Sequence, residues 1–200
     1  MDDRDVEPGA AGVSEADADL VDRARAGDRD AMGKLWSRHQ HLLLRFLRGV
    51  GSTSPDDVGS TVWIDVARGL HRFEGDLDDF RRWLFTIARR RSIDELRRQT
   101  RRPESPVADL DAAPSGADAA DEFERSQGLE RAIALVRTLP ADQAEIVLLR
   151  IVADLDVAQV AAIVGKTEGN VRVIVHRALR RLAIALDVTD AEPRPMNRVP

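Results

Sequence analysis

The sequence predicts an all-α protein made of two small helical domains that are joined by a flexible acidic linker. Apolar residues recur at the helical period of about 3.6 residues, and no stretch shows the alternation typical of a half-buried strand. Ser, Thr, Asp and Gly stand where these periodic stretches begin and end, as helix caps do. An acidic stretch rich in proline and alanine separates two such blocks.

The composition limits the class of protein. A chain of 200 residues with 43% hydrophobic content can bury a core, and the absence of cysteine excludes disulfides, thiolate metal sites and cysteine nucleophiles. No apolar run approaches the roughly 18 residues of a membrane span, and the acidic N-terminus differs from a signal peptide. The four histidines have no partners at metal-ligand spacing. We therefore expect a soluble cytoplasmic protein without membrane insertion, metal site or cofactor.

Residues 1–19 predict a disordered acidic tail, and the first folded domain is expected over residues 20–102. Its first long helix starts after the N-cap Asp28, stops near Gly49, and places Trp36 in the core. A second helix starts with Ser54 as cap and runs from Pro55 to about residue 70. Trp63 lies beside the apolar stripe of this helix, so either packing or contact with a partner fits it.

A third helix carries an unusual charge pattern, in the segment "FRRWLFTIARRRSIDELRRQTRRP" at 80–103. The whole chain has a net charge of -5, yet nine arginines in this segment face only Asp94 and Glu95. Trp83 shares the apolar side with Phe80, which leaves core packing and DNA contact both open for it. Phe85 lies off that stripe, and both roles stay open for it too. Arginines with interleaved rings suit single-stranded nucleic acid, because bases stack on rings while arginines hold the backbone.

Residues 103–124 form the predicted linker, with three prolines and seven acidic residues but no basic one. The second domain is expected over residues 125–186 and a disordered tail over 187–200. In that domain a helix opens near Pro140, and "DVAQVAAIVG" has the capping-box pair Asp156 and Gln159 with Gly165 as the stop. A further helix restarts from Thr167 as cap.

Two short helices around a glycine turn, the second of them basic, are typical of a helix-turn-helix that reads duplex DNA. The first turn of the second helix then lies in the major groove, and the later arginines meet phosphates. An ordinary helical hairpin with a solvated basic face is the alternative. The predicted duplex-binding residues are Lys166, Thr167, Glu168, Asn170, Arg172, Val173, His176, Arg177 and Arg180.

The order of these motifs resembles the extracytoplasmic-function (ECF, group IV) sigma factors of the sigma-70 family. The likeness covers about residues 20–186. Its strongest elements are "F-x-x-W-L-x-x-I-A-R" followed by "D-x-L-R-R", and "H-R-A-L-R-R-L" near the end of the second domain. The first domain then corresponds to sigma region 2 and the second to region 4.

The resemblance implies a subunit that binds core RNA polymerase, at the β′ clamp and the β flap, and promoter DNA. Region 4 would read the −35 element as a duplex, and region 2 would open the −10 element and hold the non-template single strand. The linker would thread into polymerase channels, and an anti-sigma factor is expected as a further partner. The implied clamp-binding residues are Asp57, Ser60, Thr61 and Trp63. The implied −10 residues are Phe73, Glu74, Asp76, Arg81, Arg82, Trp83, Arg89, Arg90, Arg97 and Arg98.

The sequence departs from the family pattern at four positions. Ser60 replaces a glutamine in the clamp-binding helix, and Arg90 replaces the asparagine of "I-A-R-N". In the predicted recognition helix, Asn170 replaces a threonine and Ile174 an arginine. The family's typical −35 sequence therefore does not transfer to this chain.

Two other functions fit parts of the sequence. An autonomous helix-turn-helix regulator explains residues 153–182 but gives the arginine-rich helix no role. A sigma-like mimic that sequesters an anti-sigma factor has no use for those arginines either. An enzyme is not expected, because the sequence has no G-x-S-x-G, H-E-x-x-H or phosphate-cradling glycine loop.

Overall fold

The structure is a computed structural model that describes residues 19–101, 128 and 131–191. Every regular element in these residues is helical, which confirms the all-α prediction. The predicted tails and the linker lie almost wholly outside the described residues, so the domain boundaries stay a prediction. The first block holds α1 (Leu20–Arg25), α2 (Arg29–Gly49), α3 (Pro55–Gly69), a 3₁₀ turn (Leu70–Arg72) and α4 (Leu77–Arg101). The second holds a helical segment at 131–137, α5 (Ala141–Ile151), α6 (Val157–Val164) and α7 (Glu168–Ala191).

The helix caps follow the sequence closely. The Asp28 side chain accepts hydrogen bonds from the backbone N–H groups of Asp30 and Ala31, at 2.9 and 3.1 Å. Asp156 and Gln159 form the predicted capping box at the start of α6. Gly165 ends that helix in the left-handed conformation, with φ of +68°. One end differs from expectation, because α7 continues to Ala191, beyond the predicted domain limit at residue 186.

In the first block, α2, α3 and α4 pack around a shared apolar core. Phe46 and Phe85 are fully buried and meet edge to face, with ring centroids 5.5 Å apart. Trp63 is also buried, and its Nε1–H donates a hydrogen bond to Gln40 Oε1 at 2.6 Å. The prediction that Trp36 belongs to the core is wrong, since its side chain is 48% exposed. It follows Leu35 on the helix, about 100° round from the buried stripe.

The two blocks share one continuous hydrophobic core. Ile146, Leu148 and Leu149 of α5 are buried in the same cluster as Phe46 and Leu47 of α2. Leu148 lies directly against Gly49, where an added Cβ would stand 2.6 Å from Leu148 Cδ1. The bare backbone at Gly49 thus lets α5 approach the end of α2 closely.

His39 of α2 is buried against the ring of Phe80, with centroids 5.5 Å apart. Its Nδ1–H donates to the carbonyl of Leu35 at 2.8 Å. Burial lowers the pKa of His39 from 6.5 to about 4, and the positive charges of Arg38 and Arg81 act in the same direction.

This burial predicts an acid-sensitive stability. The unfolded chain binds a proton at His39 below about pH 6.5, whereas the folded chain does so only near pH 4. The free energy of unfolding is therefore expected to fall by about 3 kcal/mol as pH drops through this window, and to be unaffected above it. Urea unfolding at several pH values will measure the slope. His39→Leu should flatten it between pH 6.5 and 4; an equally steep slope in that variant would assign the effect to other groups.

Candidate nucleic-acid interface

The arginines of α4 divide into two groups by their partners. One group is paired with carboxylates that come from other parts of the fold and from the first turn of α4. Asp78 and Asp79 precede Arg81 and Arg82 by three residues, whereas the other partners lie far away in sequence. The pairs are Arg81 with Asp78 and Asp154, Arg82 with Asp79, Arg89 with Glu145, and Arg91 with Asp65.

The second group comprises Arg90, Arg97 and Arg98, whose side chains are exposed. Among the described residues, none of the three pairs with a carboxylate; Arg98 Nε–H donates only to the carbonyl of Asp94, at 3.3 Å. Arg90 and Arg97 are seven residues apart, so they share one face of α4, and Arg98 lies beside them. This face is a fixed positive surface with solvated guanidinium groups.

The loop before α4 is held by aromatic packing. Phe73 stacks on Trp83, with centroids 4.9 Å apart and an interplanar angle of 24°, and meets Phe80 edge to face. Arg25 Nη1–H donates to the Phe73 carbonyl at 3.3 Å. Asp76 caps α4, because its Oδ1 accepts from the N–H of Asp79 at 2.9 Å. Phe73 and Trp83 are therefore only half-exposed and shape the loop, whereas the side chain of Glu74 is free in solvent.

The predicted clamp-binding residues do not all lie together. Asp57, Ser60 and Thr61 are exposed along one side of α3. Trp63 points into the core toward Gln40, so it lies away from that side. The exposed apolar residue on the surface of Asp57, Ser60 and Thr61 is instead Ile64, which is 50% exposed and follows Asp57 by seven residues.

The second block contains the predicted helix-turn-helix, formed by α6, the Gly165 turn and α7. Val171 and Ala178 bury one side of α7. The Thr167 Oγ1 accepts from the N–H of Asn170 at 3.3 Å, and Arg172 pairs with Glu168 at 2.6 Å. Lys166 is half-buried, 3.8 Å from Asp142. The other predicted duplex-binding residues are all exposed: Thr167, Glu168, Asn170, Arg172, Val173, His176, Arg177 and Arg180.

Within the part of the chain that the structure describes, no group of three or more His, Cys, Asp or Glu side chains could hold a metal ion. The same residues include no helix that is both long and apolar enough to cross a membrane.

Comparison with known proteins matches both blocks to one family. A family model described as Sigma-70 region 2 matches residues 35–102, and one described as Sigma-70, region 4 matches residues 129–182. The ECF RNA polymerase sigma factor SigD of Mycobacterium tuberculosis is 34% identical over 171 residues, which cover 82% of this chain and 80% of SigD. The chain belongs to the ECF sigma factors.

Other relatives agree with this assignment. The ECF RNA polymerase sigma factor BldN of Streptomyces coelicolor is 32% identical over 168 residues; the match covers 82% of this sigma factor but only 64% of BldN. The fold resembles CnrH, solved in complex with the cytosolic domain of CnrY, with a TM-score of 0.62 and 23% identity over 87% of this chain and 99% of that one. It also resembles the sigma factor RpoE of Bartonella quintana, solved with the anti-sigma factor NepR, with a TM-score of 0.56 and 24% identity over 76% and 96%. The resemblance read from the sequence is thereby confirmed.

The positions at which this sigma factor departs from the family pattern all reach the surface to some extent. Ser60, Arg90 and Asn170 are exposed, and Ile174 is half-buried. The three polar substitutions therefore change the surface of the sigma factor without disturbing its core.

Sequence reasoning missed the role of Glu95, which is buried between α4 and the start of α3. Its Oε1 accepts from the N–H groups of Thr53 and Ser54, at 3.2 and 3.1 Å, and from Gln99 Nε2 at 3.1 Å. Ser54 occupies the N-cap position of α3, but its side chain makes no cap hydrogen bond. Glu95 thus satisfies backbone donors at the start of α3 from a distant part of the sequence. The sequence feature that pointed to Glu95 was its position as one of two carboxylates in the arginine-rich segment.

We predict that Glu95→Ala lowers the free energy of unfolding by about 1–2 kcal/mol, because it removes the carboxylate that accepts from the partly buried N–H groups of Thr53 and Ser54. Glu95→Gln, which keeps an acceptor oxygen at the same place, should cost clearly less. Urea unfolding of both variants, followed by circular dichroism, measures the difference. Equal losses for the two variants would show that charge, and not the acceptor, matters at this position.

Proposed function

We propose that this ECF sigma factor binds core RNA polymerase and directs promoter-specific initiation, with its second domain on the −35 duplex and its first opening the −10 element. The observation that carries the proposal is the solvated arginine face of Arg90, Arg97 and Arg98, on the same chain as an exposed helix-turn-helix. Neither an autonomous regulator nor a mimic needs both surfaces. The bond-forming chemistry belongs to the polymerase, and this chain supplies binding and positioning in the cytoplasm.

The start of α7 supports the −35 assignment. Glu168, Asn170, Arg172 and Val173 are exposed in its first two turns. An asparagine amide suits adenine, a guanidinium suits guanine, and an apolar valine suits the methyl group of thymine. Arg177 and Arg180, further along the helix, reach the flanking phosphates.

The loop and arginine face of the first block support the −10 assignment. A base that leaves the duplex needs a pocket that offsets an unstacking cost of a few kcal/mol. The Phe73–Trp83 stack packs beside the loop that carries Glu74, and the exposed side chain of Glu74 would contact such a base. Arg90, Arg97 and Arg98 then hold the phosphates of the opened strand.

The proposed protein partners are assigned to surfaces outside the proposed DNA-binding residues. Asp57, Ser60 and Thr61, with Ile64, offer a mixed polar and apolar side of α3 to the β′ clamp. The second domain would contact the β flap. An anti-sigma factor is also proposed, since RpoE was solved with the anti-sigma factor NepR, and CnrH with the cytosolic domain of CnrY.

The test is co-elution of the purified chain with bacterial core RNA polymerase, followed by run-off transcription over a genomic fragment library. A stable complex whose start sites share a two-element promoter would support the proposal. Tight binding to a DNA site in the absence of polymerase, without initiation in its presence, would favour the autonomous regulator. Binding to core polymerase without initiation at any fragment would favour the mimic.

A further inference from the structure

The second half of α4 lacks the apolar packing that holds the first half. All buried apolar side chains of α4 lie between Leu77 and Ala88. From residue 89 to residue 100 the buried side chains are Ser92 and Glu95, which are both polar. This second half nevertheless carries the solvated arginine face. The placement of that face therefore depends on contacts other than apolar ones.

Polar contacts to α3 and to the residues before it hold this half of α4. Arg91 Nε–H donates to Asp65 Oδ2 at 2.6 Å, and the two side chains are 33% and 22% exposed. One turn further on, Glu95 Oε1 accepts from the backbone N–H groups of Thr53 and Ser54, just before α3. The same oxygen accepts from the hydroxyl of Thr53 at 3.3 Å. These contacts join two turns of α4 to the start and to the later part of α3.

Gln99 adds a third turn to this line of contacts. Its Nε2–H group donates to Thr53 Oγ1 and to Glu95 Oε1, the latter at 3.1 Å. Residues spaced by four share one side of a helix, so Arg91, Glu95 and Gln99 line the side of α4 that faces α3. We call the whole set the polar seam: Arg91, Glu95 and Gln99 on α4, with Asp65, Thr53 and Ser54 opposite them.

The polar seam defines a geometry that apolar contact alone does not. Apolar burial is non-directional and roughly proportional to the area buried, so a small apolar contact defines the register of two helices only weakly. Hydrogen bonds weaken steeply when their distance or angle departs from the optimum. Contacts on three successive turns therefore fix both the register of α4 along α3 and the rotation of α4 about its own axis.

The polar seam joins the two helices that carry the proposed binding surfaces of the first block. α3 presents Asp57, Ser60 and Thr61 to polymerase, and α4 presents the solvated arginine face to DNA. Once polymerase holds α3, the position of the arginine face is set by how α4 is fixed to α3. A displacement of about 1 Å is enough to take a guanidinium–phosphate hydrogen bond out of its useful range.

We propose that the polar seam places the arginine face of α4 on the opened strand when α3 is docked on polymerase, with Arg91 and Glu95 as positioning residues. The inference rests on the proposed function and deepens it, because it gives a part in promoter opening to side chains whose partners lie on the protein itself. Neither side chain has to touch DNA for this role. The seam links the docking of one surface to the placement of the other.

The sign of the expected effect separates positioning from simple electrostatics. The seam variant is Asp65→Ala with Glu95→Leu, which removes two negative charges together with the acceptors for Arg91, Gln99 and the start of α3. If charge alone mattered, the more positive first block would bind DNA more tightly. Loss of the seam should instead reduce opening, although every arginine of α4 is kept.

Two controls accompany the seam variant. Asp22→Ala with Asp30→Ala removes the same charge from exposed carboxylates of the same block, outside the seam and the proposed binding surfaces. Glu95→Gln keeps an acceptor at the place of Oε1. Its amide nitrogen takes the place of Oε2, which is buried and has no hydrogen-bond partner among the described residues. Glu95→Gln therefore preserves the hydrogen bonds of the seam while it removes the charge.

Opening is measured by permanganate reactivity of the −10 element, on a promoter recovered from the run-off library. Core polymerase is saturating, so that a change in core affinity does not enter. The seam variant is expected to give about tenfold less open complex, and both controls to stay within about twofold of the unaltered chain. Asp65→Ala alone is expected to lose about threefold, and it keeps the test standing if the double variant does not fold. Unchanged or increased opening in the seam variant overturns the proposal, as does an equal loss in the control that lacks Asp22 and Asp30.

A distance measurement on the free, full-length chain tests the seam without polymerase or promoter. The chain has no cysteine, so cysteines introduced at the exposed Ala67 of α3 and Thr100 of α4 carry the spin labels. Double electron–electron resonance is expected to give one narrow distance in the otherwise unaltered chain and in Glu95→Gln, and a clearly broader distribution in the seam variant. An equally narrow distance in the seam variant overturns the proposal. Absence of opening by the unaltered chain would instead count against the proposed function, so the two failures are distinguishable.

Discussion

Replacing Arg90, Arg97 and Arg98 together by alanine is expected to abolish open-complex formation while leaving the binding of core polymerase nearly intact. These side chains are exposed and have no carboxylate partner among the described residues, so their charge is available to phosphates. Loss of three contacts to a single strand should make the slope of log K against log salt shallower by about 2, at about 0.7 per contact. At physiological salt we expect a loss of roughly 10²–10³-fold in open complex. Permanganate footprinting of the −10 element measures it.

The matched control removes three positive charges from α2 instead. Arg29, Lys34 and Arg48 are exposed and lie outside the predicted interfaces, so their replacement by alanine changes net charge equally. If both triple variants lose opening to the same extent, the effect comes from net charge and not from the α4 face. If neither loses opening, the melting role proposed for α4 is wrong.

Arg89 is left out of this variant for a structural reason. It is paired with Glu145 of α5, so its replacement would also remove an ion pair between the two blocks. A loss of open complex in such a variant could then come from the lost ion pair, and a single variant cannot separate the two causes. Arg90, Arg97 and Arg98 have no carboxylate partner among the described residues, so their replacement breaks no ion pair there.

Local features of the fold were predictable from the sequence because their causes are local. Asp28, the capping box of Asp156 and Gln159, and the stop at Gly165 depend on residues no more than a few positions apart. The helix-turn-helix is built from the same short-range signals. Its exposed and buried sides follow from helical periodicity, so eight of the nine predicted duplex-binding residues are exposed and Lys166 is half-buried.

What the sequence could not supply depends on long-range contacts. The partners of Arg89 and Arg91 are Glu145 and Asp65, and both lie far away in sequence. Glu95 acts on Thr53 and Ser54 across more than 40 positions, so no spacing rule could reveal it. Trp36 was assigned to the core because it is large and apolar, but the position next to Leu35 on α2 faces solvent.

Phe85 is the opposite case to Trp36. Its position among arginines left DNA contact open for its ring, but the ring is buried. Its side chain is fully buried between α4 and α2, edge to face with Phe46. Phe85→Ala is expected to lower the free energy of unfolding by about 3–5 kcal/mol, because it removes a buried ring and leaves a cavity that the close-packed helices cannot fill. Urea unfolding measures this loss.

Trp36→Ala is the natural comparison, because it removes a larger ring from an exposed position of the same block. It should cost clearly less stability than Phe85→Ala, since about half of the Trp36 side chain already contacts water. Phe85→Leu should fall between the two, as it keeps much of the buried volume. If Phe85→Ala instead kept full stability and lost only open-complex formation, the ring would act on DNA and the packing of α4 against α2 would be wrong. A ring in this segment therefore packs in the core or is open to DNA according to its burial. Its position among arginines does not decide between these roles.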